Sequence, residues 1–219
     1  MLVWMFVSTI SSSQDISSLP VVAFPAKNFD AQKGFVLYLS GDGGENTFSK
    51  SFTQQLVSSG YPVVFFNSLK YFWTKKTPQQ AAADVEKLIG NFKTQWKSPK
   101  VIIVAYSFGA DVAPFLLTRF SKETFTSIKN VVLMSPSKTT DFEVHVTELF
   151  GKGKNTGMSV GAELNKMLPK PLLIVSGEDE SNTLDPAILK IAYKAVRLKG
   201  GHRYDSNTAE VASTILRSL

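Results

Sequence analysis

Residues 101–109 read Val101-Ile102-Ile103-Val104-Ala105-Tyr106-Ser107-Phe108-Gly109. Val101 to Val104 form an unbroken aliphatic run, the pattern of a parallel strand covered on both faces. The next five residues fit a tight strand-to-helix turn of the form G-x-S-x-G, with alanine in the first small position. Such a turn needs small residues at both ends, because bulky ones would clash where the chain doubles back. It would lift the Ser107 hydroxyl out of the sheet, next to the positive end of the following helix. The backbone N–H of Phe108 would then face a developing oxyanion. A serine that merely caps a helix fits the same pentapeptide, so its surroundings must decide.

Moving outward, short β-rich runs alternate with amphipathic ones. Phe35 to Leu39 reads as a strand that ends at Gly41, Gly43 and Gly44, and Thr47 to Ser59 suits a helix. Pro62 to Phe66 is the next strand. Thr77-Pro78-Gln79-Gln80 opens a helix that runs to about Trp96, with Thr77 as N-cap and Gln80 in the capping-box place. The helix after Ser107 is read over Asp111 to Arg119, with Pro114 tolerable only in its first turns. Val131 to Met134, Leu172 to Val175 and Lys194 to Leu198 are further strands, and Thr208 to Leu216 is the last helix. Asp141 to Leu149 could be an edge strand, and Gly151 to Gly161 a flexible loop near the site. This alternation predicts a doubly wound, mostly parallel sheet flanked by helices, an α/β fold in one domain over residues 21–219. Ligands of such sheets bind beyond the carboxyl ends of the strands.

That rule locates partners for Ser107. The chain holds only two histidines, His145 and His202. His202 follows the last strand and is preferred as general base; His145 lies in an alternating polar and apolar stretch. The acid should fall between serine and histidine at a strand end. Glu178, Asp179 and Glu180 all qualify; Glu180 is in the usual place and Asp179 is the close alternative. The acid would fix the histidine tautomer and stabilise its imidazolium. Ser40-Gly41-Asp42-Gly43-Gly44 supplies a second oxyanion contact, assigned to Gly41 and Asp42 beside Phe108, because glycines let the backbone approach a substrate closely. The same loop lacks the lysine and spacing of a phosphate-binding loop. Tyr71, Phe72 and Trp73 are read either as an apolar wall, with Tyr71 and Trp73 touching substrate, or as ordinary packing.

Composition narrows the rest. The 219 residues include no cysteine, which excludes disulfides, thiolate metal sites and cysteine nucleophiles. No metal and no cofactor is expected. The net charge of +6 suits a basic surface, with anionic lipid a better partner than nucleic acid because no recognition motif accompanies the scattered lysines. Residues 1–20 begin with an apolar run and a serine-rich stretch, read as a signal-peptide remnant or a disordered tail. Export, to the periplasm or beyond, is the expectation; a cytoplasmic protein follows if the segment is not a signal.

Four stretches together resemble the VirJ/AcvB group of bacterial virulence proteins: Tyr38 to Gly44, Leu69 to Trp73 with Lys76-Thr77-Pro78, Tyr106 to Asp111, and Gly201-His202. The resemblance implies a periplasmic α/β-hydrolase. AcvB-like members are associated with hydrolysis of aminoacyl-phosphatidylglycerol, and VirJ-like members with type IV secretion. An ester or aminoacyl-lipid substrate and secretion-system proteins are therefore the implied partners. Ala105 and Glu45 depart from the family pattern, which usually has glycine and tryptophan there.

Overall fold

A computed structural model describes residues 15–144 and 157–219. Along the chain, strand β1 (Val21–Phe24) precedes β2 (Phe35–Leu39), helix α1 (Thr47–Ser58) and β3 (Val63–Phe66). The single-turn α2 (Ser68–Tyr71) and the long α3 (Pro78–Gln95) lead to β4 (Val101–Tyr106) and α4 (Phe108–Leu117). Next come α5 (Lys122–Ser127), β5 (Ile128–Met134), the short β6 (Thr139–Thr140) and β7 (Met158–Ser159), and α6 (Val160–Leu164). The chain closes with β8 (Leu172–Gly177), β9 (Lys194–Leu198) and α7 (Thr208–Leu216).

Seven strands form one sheet in the order β1-β3-β2-β4-β5-β8-β9. Among the described strands of this sheet, only β1 runs antiparallel. Every residue of β2, β3 and β4 is buried, because alternate side chains feed two separate cores. Leu37, Ile103 and Ala105 face the core under α3 and α4, whereas Tyr38, Ile102 and Val104 face the core under α1 and α7. A strand with both faces covered must be apolar throughout, so the aliphatic run at 101–104 marks the sheet centre. After β2 the chain pairs β3 on one side and then returns to set β4 on the other. The carboxyl ends of β2 and β4 therefore meet at the topological switch point, where open α/β sheets hold their ligands.

Local signals account for the helix starts. Thr77 and Gln80 form the complete capping box, and Pro78 occupies the first turn of α3. Helix α4 begins at Phe108, three residues before the expected Asp111, because the tight turn at Ser107 feeds straight into it. Pro114 is thus interior to α4 rather than in its first turn; the helix is buried from Gly109 to Leu117, and packing sustains it despite the missing amide hydrogen.

Two expectations for residues 141–161 are corrected. Asp141 to Val144 is not a strand: Val144 N–H donates to the Phe72 carbonyl and Phe142 accepts from Lys76, so the segment packs onto the end of α2. His145 to Leu149, and 151–156 of the expected flexible loop, lie outside the described residues. The rest of that loop is ordered by pairing of Met158–Ser159 with Thr139–Thr140 and by the start of α6. The sheet edges are β1 and β9. Among the described residues, no helix is long and apolar enough to cross a membrane.

Candidate active site

Ser107 sits between β4 and α4 with φ +52° and ψ −124°, a backbone conformation unfavourable for any residue bearing a Cβ. Its amide donates to the Met134 carbonyl at 2.9 Å, tying the turn to the end of β5. Small neighbours make the turn possible. A Cβ on Gly109 would come within 2.6 Å of the Ser40 carbonyl oxygen, so only glycine lets α4 lie against the end of β2. Ala105 is fully buried in the adjoining strand.

The serine hydroxyl lies 2.8 Å from His202 Nε2, and His202 Nδ1 lies 2.6 Å from Glu180 Oε1. Ser107, His202 and Glu180 follow β4, β9 and β8, so all three lie beyond the carboxyl ends of strands on one side of the sheet. Glu180 Oε2 accepts from the Gly177 amide at 2.7 Å and the Ser135 hydroxyl at 2.8 Å. Burial works to raise the Glu180 carboxyl, but the bonds from His202, Gly177 and Ser135 together hold it below the usual carboxylate range. The histidine backbone is fixed as well: Tyr106 donates its hydroxyl to the His202 carbonyl at 2.9 Å. Asp179 and Glu178, the other candidate acids, are exposed and use their amides to bond Gly200 and Leu198.

The glycine loop closes the other side. A Cβ on Gly41 would stand 3.1 Å from the Ser107 Cβ, so the loop backbone abuts the serine. Gly44 adopts φ +57° and donates to Gly41, which turns the loop tightly. Buried Ser40 braces it, accepting from the Ser68 amide at 3.0 Å. Phe108 is the first residue of α4, where an amide has no intrahelical partner. Asp42 is half-buried in the loop and forms no ion pair among the described residues.

The aromatic triplet is divided differently from the expectation. Tyr71 is buried, packs on Phe66 and Phe72 and donates its hydroxyl to Asp84, so it belongs to the core rather than to a substrate wall. The one-turn α2 rotates it inward. Trp73 is 60% exposed. Phe72 is buried as well and packs edge-on against the Phe108 ring at 5.2 Å, behind the residue that follows the serine.

Three contributors escaped the sequence reading. Ser135 and Tyr204 lie behind Glu180, and Asp111 lies in the first turn of α4. Asp111 accepts from the Ser137 amide at 2.5 Å. Burial is the main cause that pushes its carboxyl up to about 7, against the Ser137 bonds and the nearby His202, with Asp42 adding to the rise. Its position four residues after the serine, beside a helix start, was the available signal.

Solved structures with this arrangement of strands and helices share little sequence. Est1E from Butyrivibrio proteoclasticus matches with a TM-score of 0.60 at 14% identity, covering 90% of this chain and 93% of that one. MenH from S. aureus gives 0.63 at 13%, covering 91% and 97%. Naproxen esterase from Bacillus subtilis gives 0.56 at 14%, covering 90% and 86%. At such identities the likeness establishes the α/β-hydrolase fold alone. No curated protein matches the sequence. Family membership comes instead from residues 33–219, which match the bacterial virulence protein family VirJ, and this chain belongs to that family.

Proposed function

We propose that the chain hydrolyses carboxylic esters through a covalent acyl-serine intermediate. The observation that carries this reading is the continuous bond chain from Ser107 Oγ through His202 to Glu180, at 2.8 and 2.6 Å, with the serine on its strained turn. His202 Nε2 takes the hydroxyl proton as Ser107 Oγ bonds to the ester carbon. The carbonyl oxygen becomes an oxyanion and accepts from the amides of Phe108 and the Gly41–Asp42 segment. Glu180 keeps the Nδ1 proton on His202 and stabilises the imidazolium. His202 then protonates the leaving alcohol as the C–O bond breaks. Water attacks the acyl-serine with His202 again as base, releasing the acid and restoring the hydroxyl.

An aminoacyl ester of phosphatidylglycerol is the substrate we favour. Asp42 supports this choice: a half-buried carboxylate with no ion pair among the described residues, in the loop beside the nucleophile, attracts an ammonium group and repels an anionic acyl group. The net charge of +6 would hold the protein near anionic lipid, and the N-terminal apolar run supports export to the periplasm. A second reading, a secretion-system partner built on a hydrolase fold, rests on the virulence family itself. Covalent labelling separates the two. A fluorophosphonate should add to Ser107, located by peptide mass spectrometry; an unlabelled Ser107 in folded protein favours the partner reading.

A further inference from the structure

Glu180 uses its two oxygens differently. Oε1 faces His202, while Oε2 accepts from Gly177 and from Ser135. Ser135 Oγ also lies 2.6 Å from the Tyr204 hydroxyl, which lies 3.2 Å from the Val175 carbonyl. Two hydroxyl protons can fill these contacts in three ways. One of them, Ser135 donating to Glu180 while Tyr204 donates to Val175, leaves two oxygens 2.6 Å apart with no hydrogen between them and is disfavoured, so two compete. In one, Tyr204 donates to Ser135 and Ser135 donates to Glu180. In the other, Ser135 donates to Tyr204, Tyr204 donates to Val175, and Oε2 loses a donor.

The first arrangement is the stronger. It uses the contacts of 2.6 and 2.8 Å and leaves the 3.2 Å one unused. It ends on a charged acceptor, where hydrogen bonds are stronger. The Val175 carbonyl already accepts from the Ser135 amide at 2.7 Å, so it loses little. Both hydroxyl residues are also held in left-handed backbone, Ser135 at φ +49° and Tyr204 at φ +51°. Asp205 and Ser206 continue that conformation directly after Tyr204. Such strain persists only where surrounding contacts over-determine it, and both side chains are buried.

We propose that Ser135 and Tyr204 are positioning residues: a buried two-hydroxyl wire that pins Glu180 Oε2 and so presents Oε1 to His202 Nδ1. The role rests on the ester-hydrolase reading above. Neither residue would touch substrate. Without either hydroxyl the pocket keeps its shape, but the carboxylate is free to turn away from the histidine.

The test uses the full chain carrying His145→Gln, which leaves His202 as the only histidine, and follows its Nδ1 proton by low-field NMR together with steady-state kinetics. Ser135→Gly is the informative variant, since it removes the hydroxyl and relieves the left-handed strain at once; Tyr204→Phe removes the second hydroxyl. The wire predicts that the resonance moves upfield or is lost in both variants, and that kcat falls about tenfold with KM unchanged. Folded variants with an unaltered resonance, or with full kcat, overturn it. A wild type with no ester turnover, whose resonance nevertheless moves in both variants, overturns the hydrolase reading and keeps the wire.

Discussion

Gly41 and Ser107 stand so close that a Cβ on the glycine would lie 3.1 Å from the serine Cβ. The loop after β2 and the turn after β4 therefore form one surface, and neither can be changed without moving the other. Gly41→Ala should displace the loop by a few tenths of an ångström. Misplacement on that scale weakens oxyanion contacts, so kcat should fall by roughly ten- to a hundredfold while thermal stability stays near wild type. Steady-state kinetics with a soluble ester, alongside a melting curve, checks this.

The acid can be assigned by paired substitutions. Glu180→Gln removes the charge facing His202 and favours the wrong tautomer, so kcat should drop by about a thousandfold or more. Asp179→Asn, at an exposed position with no bond to His202, should leave kcat unchanged. Equal losses in both variants would contradict the assignment.

Asp111 gives a pH signature. Its folded-state carboxyl is raised to about 7, above the usual value near 3.8, so the folded protein binds the extra proton between those limits. Stability contributed by this group is thus fully present at low pH and is lost as pH rises from about 4 to about 7. Glu180 acts in the opposite sense, since its lowered carboxyl adds stability that is lost as pH falls below the ordinary carboxylate range. Asp111→Asn should therefore gain stability relative to wild type at pH 7.5 but not at pH 4.5, by about 1–3 kcal/mol. Denaturant unfolding at the two pH values measures the difference.

Much of this was legible in the sequence because the chemistry was local. The aliphatic run at Val101–Val104, the capping box at Thr77 and Gln80, and the helix Thr208–Leu216 each follow from neighbouring residues. Ser107, His202 and Glu180 could be placed because each follows a strand. The edge strand Val21–Phe24 was not legible: four residues with outward faces half-exposed carry no periodic signal. Tyr71 was ambiguous because a one-turn helix fixes its direction, and no pattern in four residues reveals that turn. The link between Ser135 and Tyr204 joins positions 69 residues apart, and only the tertiary fold brings such hydroxyls together.

The half-buried Asp42 carboxylate in the glycine loop makes a prediction about substrates. Asp42→Asn should reduce kcat/KM for an aminoacyl ester by about tenfold relative to a neutral acyl ester of the same alcohol, by loss of one ammonium contact. An equal change for both esters would place Asp42 in the loop's architecture alone.

The role of Ser107 as nucleophile is tested directly by one measurement: turnover of an ester panel that includes aminoacyl-phosphatidylglycerol, by wild type and by Ser107→Ala of equal melting temperature. Wild type should hydrolyse at least one ester, and the variant should lose at least about a thousandfold in kcat. Hydrolysis that persists undiminished in Ser107→Ala would contradict it.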